Sequence, residues 1–151
     1  LVQIPDVFMR KVSSENGFSL PEQGEYAVGN VFFPQDELES ERYRLVIEKA
    51  IKDEGQRLLG WREVPVNNDA IGVVAKLTQP RIQQVFIGSN SSATNPDEFE
   101  RSLYVLRKVI EQCIEALNLP HQDEFYICTL SSNKIVYKGL LMGYQLLLLL
   151  R

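Results

Sequence analysis

The chain holds 151 residues, 44% of them hydrophobic and 24% charged, with 16 Lys and Arg set against 20 Asp and Glu. That is one domain's worth of chain, enough to bury about 70% of the surface its unfolded form exposes, and its average composition excludes disorder, collagen-like repeats and a disulfide scaffold. A net charge of −4 supplies no basic footprint for nucleic acid or anionic lipid, while Cys113 and Cys128 are too few for a zinc cage and suit a reducing, intracellular compartment.

Leu1-Val2-Gln3-Ile4-Pro5 reads as a strand entered partway along, with neither an initiator Met nor a signal segment. The first clear strand is Tyr26 to Phe33, rich in β-branched and aromatic residues, entered through Pro21 and Gly24 and stopped by Pro34. A helix follows. Asp36 caps it with Glu39 three residues on, and Tyr43, Val46, Ile47, Ala50 and Ile51 fall on one face before Gly55 ends it. Leu58, Leu59 and Trp61 up to Val64-Pro65 form a second strand, and Val66 to Gln79 a long polar loop with one helical turn. The third strand runs from Arg81 to Ile87.

After a loop at Ser89 to Asn95, Asn95-Pro96 with Glu98 gives a cap, a proline at the first helical position and a capping-box acid. The long helix that starts there carries Phe99, Leu103, Leu106, Ile110, Ile114 and Leu117 at steps of four and three, and Asn118 and Pro120 close it. Phe125 to Leu130 and Lys134 to Tyr137 flank Ser131-Ser132-Asn133 and predict a C-terminal hairpin. The order is βαββαβ plus one paired strand, an α+β fold of ferredoxin-like order with two helices on one face of an antiparallel sheet. The final apolar run, Leu146 to Leu150 even with Leu140, Leu141 and Met142, falls well short of the roughly 20 residues of a membrane span. We expect a truncated or altered terminus and no membrane contact.

The common catalytic patterns are absent from the sequence: no Gly-x-x-x-x-Gly-Lys run, no G-x-G-x-x-G after a strand, no H-E-x-x-H. The single histidine, His121, sits in a polar loop after a helix end and is expected to be solvated. Cys113 near the apolar stripe of the long helix and Cys128 inside an apolar strand are both expected to pack in the core, where burial makes a thiol a poor nucleophile. The acids Asp36, Glu37, Glu39 and Glu41, and Asp97, Glu98 and Glu100, complement helix N-termini. Trp61, beside the opposite charges Arg62 and Glu63 at a strand end, suits a ligand or partner contact, but a core or subdomain anchor with its indole N–H on a backbone acceptor is the commoner case and is expected. Lys134 and Lys138 fall on one strand face at period two, where an anion contact is possible and solvation commoner. An RNA-recognition fold shares the element order, but its third strand carries basic and aromatic residues, and Arg81-Ile82-Gln83-Gln84-Val85-Phe86-Ile87 does not.

Several runs together resemble one family. They are Gly24-Glu25-Tyr26-Ala27-Val28-Gly29, Leu59-Gly60-Trp61-Arg62-Glu63-Val64-Pro65-Val66, Gln84-Val85-Phe86, Leu103-Tyr104-Val105-Leu106-Arg107-Lys108, and Phe125-Tyr126-Ile127-Cys128-Thr129-Leu130-Ser131-Ser132 continuing to Ile135-Val136-Tyr137-Lys138-Gly139. Their order and spacing resemble the glutamine amidotransferase (class II glutaminase) domain of glutamate synthases. The resemblance covers residues 1–141 as a partial domain and leaves 142–151 as an apolar tail that does not match.

The resemblance implies part of an αββα N-terminal-nucleophile sandwich, in which an N-terminal Cys attacks the amide of glutamine and an oxyanion hole holds the intermediate. The ammonia released then makes glutamate from 2-oxoglutarate. It further implies a parent chain with FMN and iron–sulfur clusters, and FAD and NAD(P)H in the NAD(P)H-dependent type. The Gly24 to Gly29 and Asn118 to His121 segments lean toward that type. The family's nucleophilic Cys falls before Leu1, and its Arg-Phe-Ser-Thr run and Asn-Gly pair fall after Gly139. No catalytic, cofactor-binding or metal residue is therefore carried over, and the chain alone is expected to be inactive. Asn133 departs from the usual Arg of the family. Glutamine and the rest of a glutamate synthase chain are the implied partners, in a plastid or the cytoplasm. The other reading is a free-standing ferredoxin-like module that binds a ligand or a partner, with Leu140 to Leu150 as its interaction segment.

Overall fold

A computed structural model of the chain describes residues 2–90 and 95–138. In chain order it runs β1 (Val2–Gln3), α1 (Asp6–Glu15), β2 (Tyr26–Phe33), α2 (Glu37–Asp53), β3 (Arg57–Glu63), α3 (Val73–Leu77), β4 (Arg81–Gly88), α4 (Pro96–Leu117), β5 (Tyr126–Ser131) and β6 (Lys134–Ile135). Four strands form an antiparallel sheet in the order β3-β4-β2-β5, and β1 pairs with β6 in a separate two-stranded sheet.

The helix boundaries follow from their caps. The Asp36 carboxylate accepts the backbone N–H of Glu39 at 2.8 Å, and Gly55 leaves α2 at φ +72°, where a Cβ would be strained. Asn95 accepts the N–H of Asp97 at 3.0 Å, and α4 ends at Asn118 in the left-handed region. The apolar stripes of both helices meet one sheet face. Tyr43, Ile47, Ala50 and Ile51 of α2 and Phe99, Leu103, Leu106, Ile110 and Ile114 of α4 join Ala27, Val31, Phe33, Val85, Ile87 and Ile127 in one core. Leu117, expected on that stripe, is the last residue of α4 and is exposed.

The opposite face is covered as well, which the sequence pattern does not foresee. It gives no element between Pro5 and Gly24, whereas α1 lies there with Met9 and Val12 buried against Tyr26, Val28 and Phe86. The helix has no side-chain N-cap and buries only one narrow stripe, so neither of the usual sequence signals marks it. It is tied down by the Tyr26 hydroxyl donating to Asp6 at 2.8 Å and by Arg10 donating to the carbonyls of Leu20 and Pro21 at 3.1 and 2.7 Å. The loop after it seats Phe18 on Gly60, where a Cβ would come within 2.4 Å of the ring.

The expected C-terminal hairpin is corrected in its pairing. The chain turns at Ser131 to Asn133 and β6 bonds to β1, not back onto β5, with Val2 opposite Ile135. The expected short strand at the chain start is thus β1, and Ile4 N–H donates to the Asn133 carbonyl at 3.1 Å. The apolar run at 140–150 lies outside the described residues. Among the described residues no helix is long and apolar enough to cross a membrane.

Candidate functional site

Register places three polar side chains in a row across the α1 side of the sheet. Asn30 of β2 stands opposite Gln84 of β4, and Gln84 stands opposite Arg62 of β3. Because strand side chains alternate between faces, residues paired across a ladder point the same way, and these three touch in sequence. Arg62 Nη1 donates to Gln84 Oε1 at 2.7 Å, Gln84 Nε2 to Asn30 Oδ1 at 2.9 Å, and Asn30 Nδ2 to the Val136 carbonyl at 2.8 Å.

On the far side Thr129, opposite Asn30 in β5, accepts the Val136 N–H on its hydroxyl at 3.4 Å. The Arg62 guanidinium lies 5.3 Å from the centre of the Phe8 ring, a cation–π contact that joins the row to α1. Asn30 and Gln84 are buried, so every bond in the row replaces water that the fold has excluded. The row holds two amides and a guanidinium, none of which is a nucleophile. Its chemistry is placement, fixing the backbone at Val136 on the sheet.

A second device acts on the same segment. The Glu100 carboxylate of α4 accepts both hydroxyls of Ser131 and Ser132, at 3.1 and 2.6 Å, and the backbone N–H of Ser132. Ser131 Oγ in turn accepts the N–H groups of Asn133 and Lys134 at 3.0 and 3.1 Å. Glu100 is therefore a clamp on the turn after β5, which corrects the expectation that it serves the helix N-terminus alone. Asn133, exposed on that turn, bonds through its backbone N–H to Ser131 and through its carbonyl to Ile4.

The residues singled out from sequence do not converge. Cys128 is buried as expected, its thiol pushed up by burial and donating to the Val136 carbonyl at 3.5 Å. Cys113 is exposed, which overturns its expected place in the core: it stands one position before Ile114 of the α4 stripe, about 100° round the helix, and points outward. His121 is exposed and its Nδ1 lies 3.2 Å from Glu39, so this acid reaches beyond its own helix end. Trp61 anchors the core side of β3 against Phe33, but its indole N–H donates to the Glu48 carboxylate at 2.8 Å in place of a backbone carbonyl. Lys134 and Lys138 do not share a strand face. Lys134 is in β6, whereas Lys138 lies past its end, donates to the Tyr126 hydroxyl at 2.8 Å and sits 4.3 Å from that ring. Among the described residues no group of three His, Cys, Asp or Glu side chains is placed to hold a metal ion.

Asn30 and Gln84 are residues to which sequence reasoning gives no role, and Arg62 enters it only as a charged neighbour of Trp61. The available signal is a polar side chain inside an apolar strand, Asn30 within Tyr26 to Phe33 and Gln84 before Val85-Phe86-Ile87. Such a residue pays to be buried only with a partner, but the partner is set by register between strands far apart in sequence.

Comparison with known proteins bears on what this scaffold belongs to. Residues 1–149 match the family described as glutamine amidotransferases class-II. The NADPH glutamate synthase large chain of Bacillus subtilis is 47% identical over 145 residues, which cover 96% of this chain and 9% of that protein. The ferredoxin-dependent glutamate synthase of the rice chloroplast is 42% identical over 129 residues, covering 85% and 8%. The NADPH glutamate synthase large chain of Azospirillum brasilense is 36% identical over 146 residues, covering 96% and 9%. The chain thus spans less than a tenth of the length of these relatives, and it resembles both electron-donor types.

Proposed function

The chain belongs to the class-II glutamine amidotransferases, and we propose that it is the scaffold part of the glutaminase domain of a glutamate synthase. In this reading the domain releases ammonia from glutamine, and the ammonia serves glutamate synthesis from 2-oxoglutarate in another part of the same polypeptide. The observation that carries the reading is the match to glutamate synthases of both donor types along nearly the whole chain. The finer fold is an N-terminal-nucleophile sandwich whose ferredoxin-like split βαβ units supply one sheet. The position of β2 between β4 and β5, with α2 and α4 on one face, supports it.

Within that domain this segment holds parts in place. The row from Arg62 to Asn30 and the Glu100 clamp both act on residues 131–136. No nucleophile is assigned here. Cys128 keeps its proton because burial disfavours the thiolate, and Cys113 stands on the outer side of α4. FMN and iron–sulfur chemistry belongs to the proposed parent protein. Two thiols on different elements do not fit a cluster, which takes four cysteine thiolates, so no step is routed through such a group here.

Reading the coding DNA on both sides tests the proposal. A Cys-Gly-Val-Gly start upstream and an Arg-x-Ser-Thr run downstream, both in frame, are expected. A stop codon closing the frame on both sides without either run overturns it.

A further inference from the structure

The last turn of α1 runs into the one Asn-Gly pair of the sequence, Asn16-Gly17. At such a pair the glycine nitrogen reaches the side-chain amide carbon of the asparagine with least hindrance, because no Cβ on the following residue crowds the five-membered ring that closes. Asn16 is exposed, and the space where a Cβ would stand on Gly17 is empty to 4 Å. Asn67, Asn68, Asn118 and Asn133 are exposed too, but a residue with a side chain follows each of them.

Two hydrogen bonds hold the reacting groups apart. Asn16 Nδ2 donates to the Val12 carbonyl at 2.7 Å and Gly17 N–H to the Ser14 carbonyl at 3.1 Å, so both are turned back along the helix. Ring closure requires both bonds to break, which is fraying of the last turn, a motion that helix ends make readily. Arg10 opposes it from outside the turn. Its guanidinium donates to the carbonyls of Leu20 and Pro21 and so ties the loop that contains Gly17 to the body of α1.

We propose that Asn16-Gly17 is a deamidation site gated by the last turn of α1, and that its product loosens the cover of the α1 face of the sheet. The Gly17 nitrogen gives its proton to solvent and bonds to Asn16 Cγ, the Cγ–Nδ2 bond breaks, and Nδ2 leaves as ammonia. Water then opens the ring. Cleavage of the new N–Cγ bond leaves aspartate, and cleavage at the main-chain carbonyl leaves isoaspartate, with one more carbon in the backbone. Either product removes the donor to Val12 and sets a carboxylate beside Glu15 at the negative end of the helix. Isoaspartate also lengthens the chain just before Phe18, whose ring sits so close on Gly60 that a Cβ there would come within 2.4 Å. Phe18 packs on the cluster of Met9, Val12 and Phe86, so that cluster is what opens. Only water and this chain take part, and the step is independent of any glutaminase activity.

The test follows each asparagine by peptide mass spectrometry in the full-length protein, kept at mildly alkaline pH in water enriched in ¹⁸O, which marks every ring that hydrolyses. Folded native protein, folded Arg10→Ala and urea-unfolded native protein are compared. In the folded protein Asn16 is expected to react ahead of Asn67, Asn68, Asn118 and Asn133. Its rate is expected to rise about threefold or more in Arg10→Ala, and about tenfold or more on unfolding. Asn16 no faster than those four overturns the site, and equal rates in folded and unfolded protein, or in folded native protein and folded Arg10→Ala, overturn the gate. If Arg10→Ala does not fold, the two native rates decide. Hydrogen exchange at Phe18, whose N–H donates to the Ser13 carbonyl at 3.1 Å, is expected to be several-fold faster in Asn16→Asp than in the native chain, and unchanged exchange overturns the loosening.

Discussion

The two faces of the central sheet are held by different physics. Toward α2 and α4 the contact is a broad hydrocarbon core in which Phe33, Tyr43, Leu103 and Leu106 are fully buried. Toward α1 and β6 the apolar cluster is smaller, and beside it the sheet carries the hydrogen-bonded row from Arg62 through Gln84 and Asn30 to Val136. Apolar burial is strong and non-directional, so the first face supplies stability and tolerates small shifts. Buried hydrogen bonds are weaker in net terms but demand fixed geometry, so the second face supplies placement.

This contrast is sharpest at Leu106, buried between α4 and the sheet. Leu106→Ala is expected to lower the unfolding free energy by about 2–5 kcal/mol through lost burial and a cavity. Urea denaturation measures it, and a loss below that range places the main core elsewhere. On the polar face Asn30→Ala leaves the Gln84 Nε2 without its acceptor and the Val136 carbonyl with only the longer contact from the Cys128 thiol, at about 1–3 kcal/mol. The double variant Asn30→Ala/Gln84→Ala is expected to cost less than the sum of the two single changes, because both remove the same bond. Additivity in the denaturation midpoints breaks the idea of a row.

The smallest effect is in acid. Asp6 accepts from Arg10 and from the Tyr26 hydroxyl, and the Arg10 bond holds its carboxyl below the usual range, against the opposing effect of desolvation. A depressed folded pKa stabilises above the unfolded value of about 3.9, and that contribution is lost as pH falls through the lower folded value. Urea midpoints should therefore fall more steeply below pH 4 for the native chain than for Asp6→Asn, and parallel curves dismiss the tether.

How much of this was legible in the sequence divides along the same two faces. Local signals carried the first: the Asp36 and Asn95 caps, the helical spacing from Phe99 to Ile114, and Gly55 and Asn118 as helix ends. Each depends on residues within a few positions of one another. The second face depends on long-range register. Arg62, Gln84, Asn30 and Val136 come from four separate stretches, and β6 takes its partner from the opposite end of the chain. Cys113 shows the limit within one helix, since a step of one residue turns a side chain by about 100° and converts a core position to a surface one. The family resemblance was carried by sequence runs alone, whereas the placing role of Asn30 and Glu100 came only from contacts between runs.

We propose that this segment is scaffold for a glutaminase site and that its own two cysteines do not act as the nucleophile. The most direct measurement is ammonia release from glutamine by the purified 151-residue chain, followed with glutamine carrying ¹⁵N in its side-chain amide. The account predicts no labelled ammonia above a heat-inactivated control, whereas saturable, glutamine-dependent release by this chain alone would contradict it.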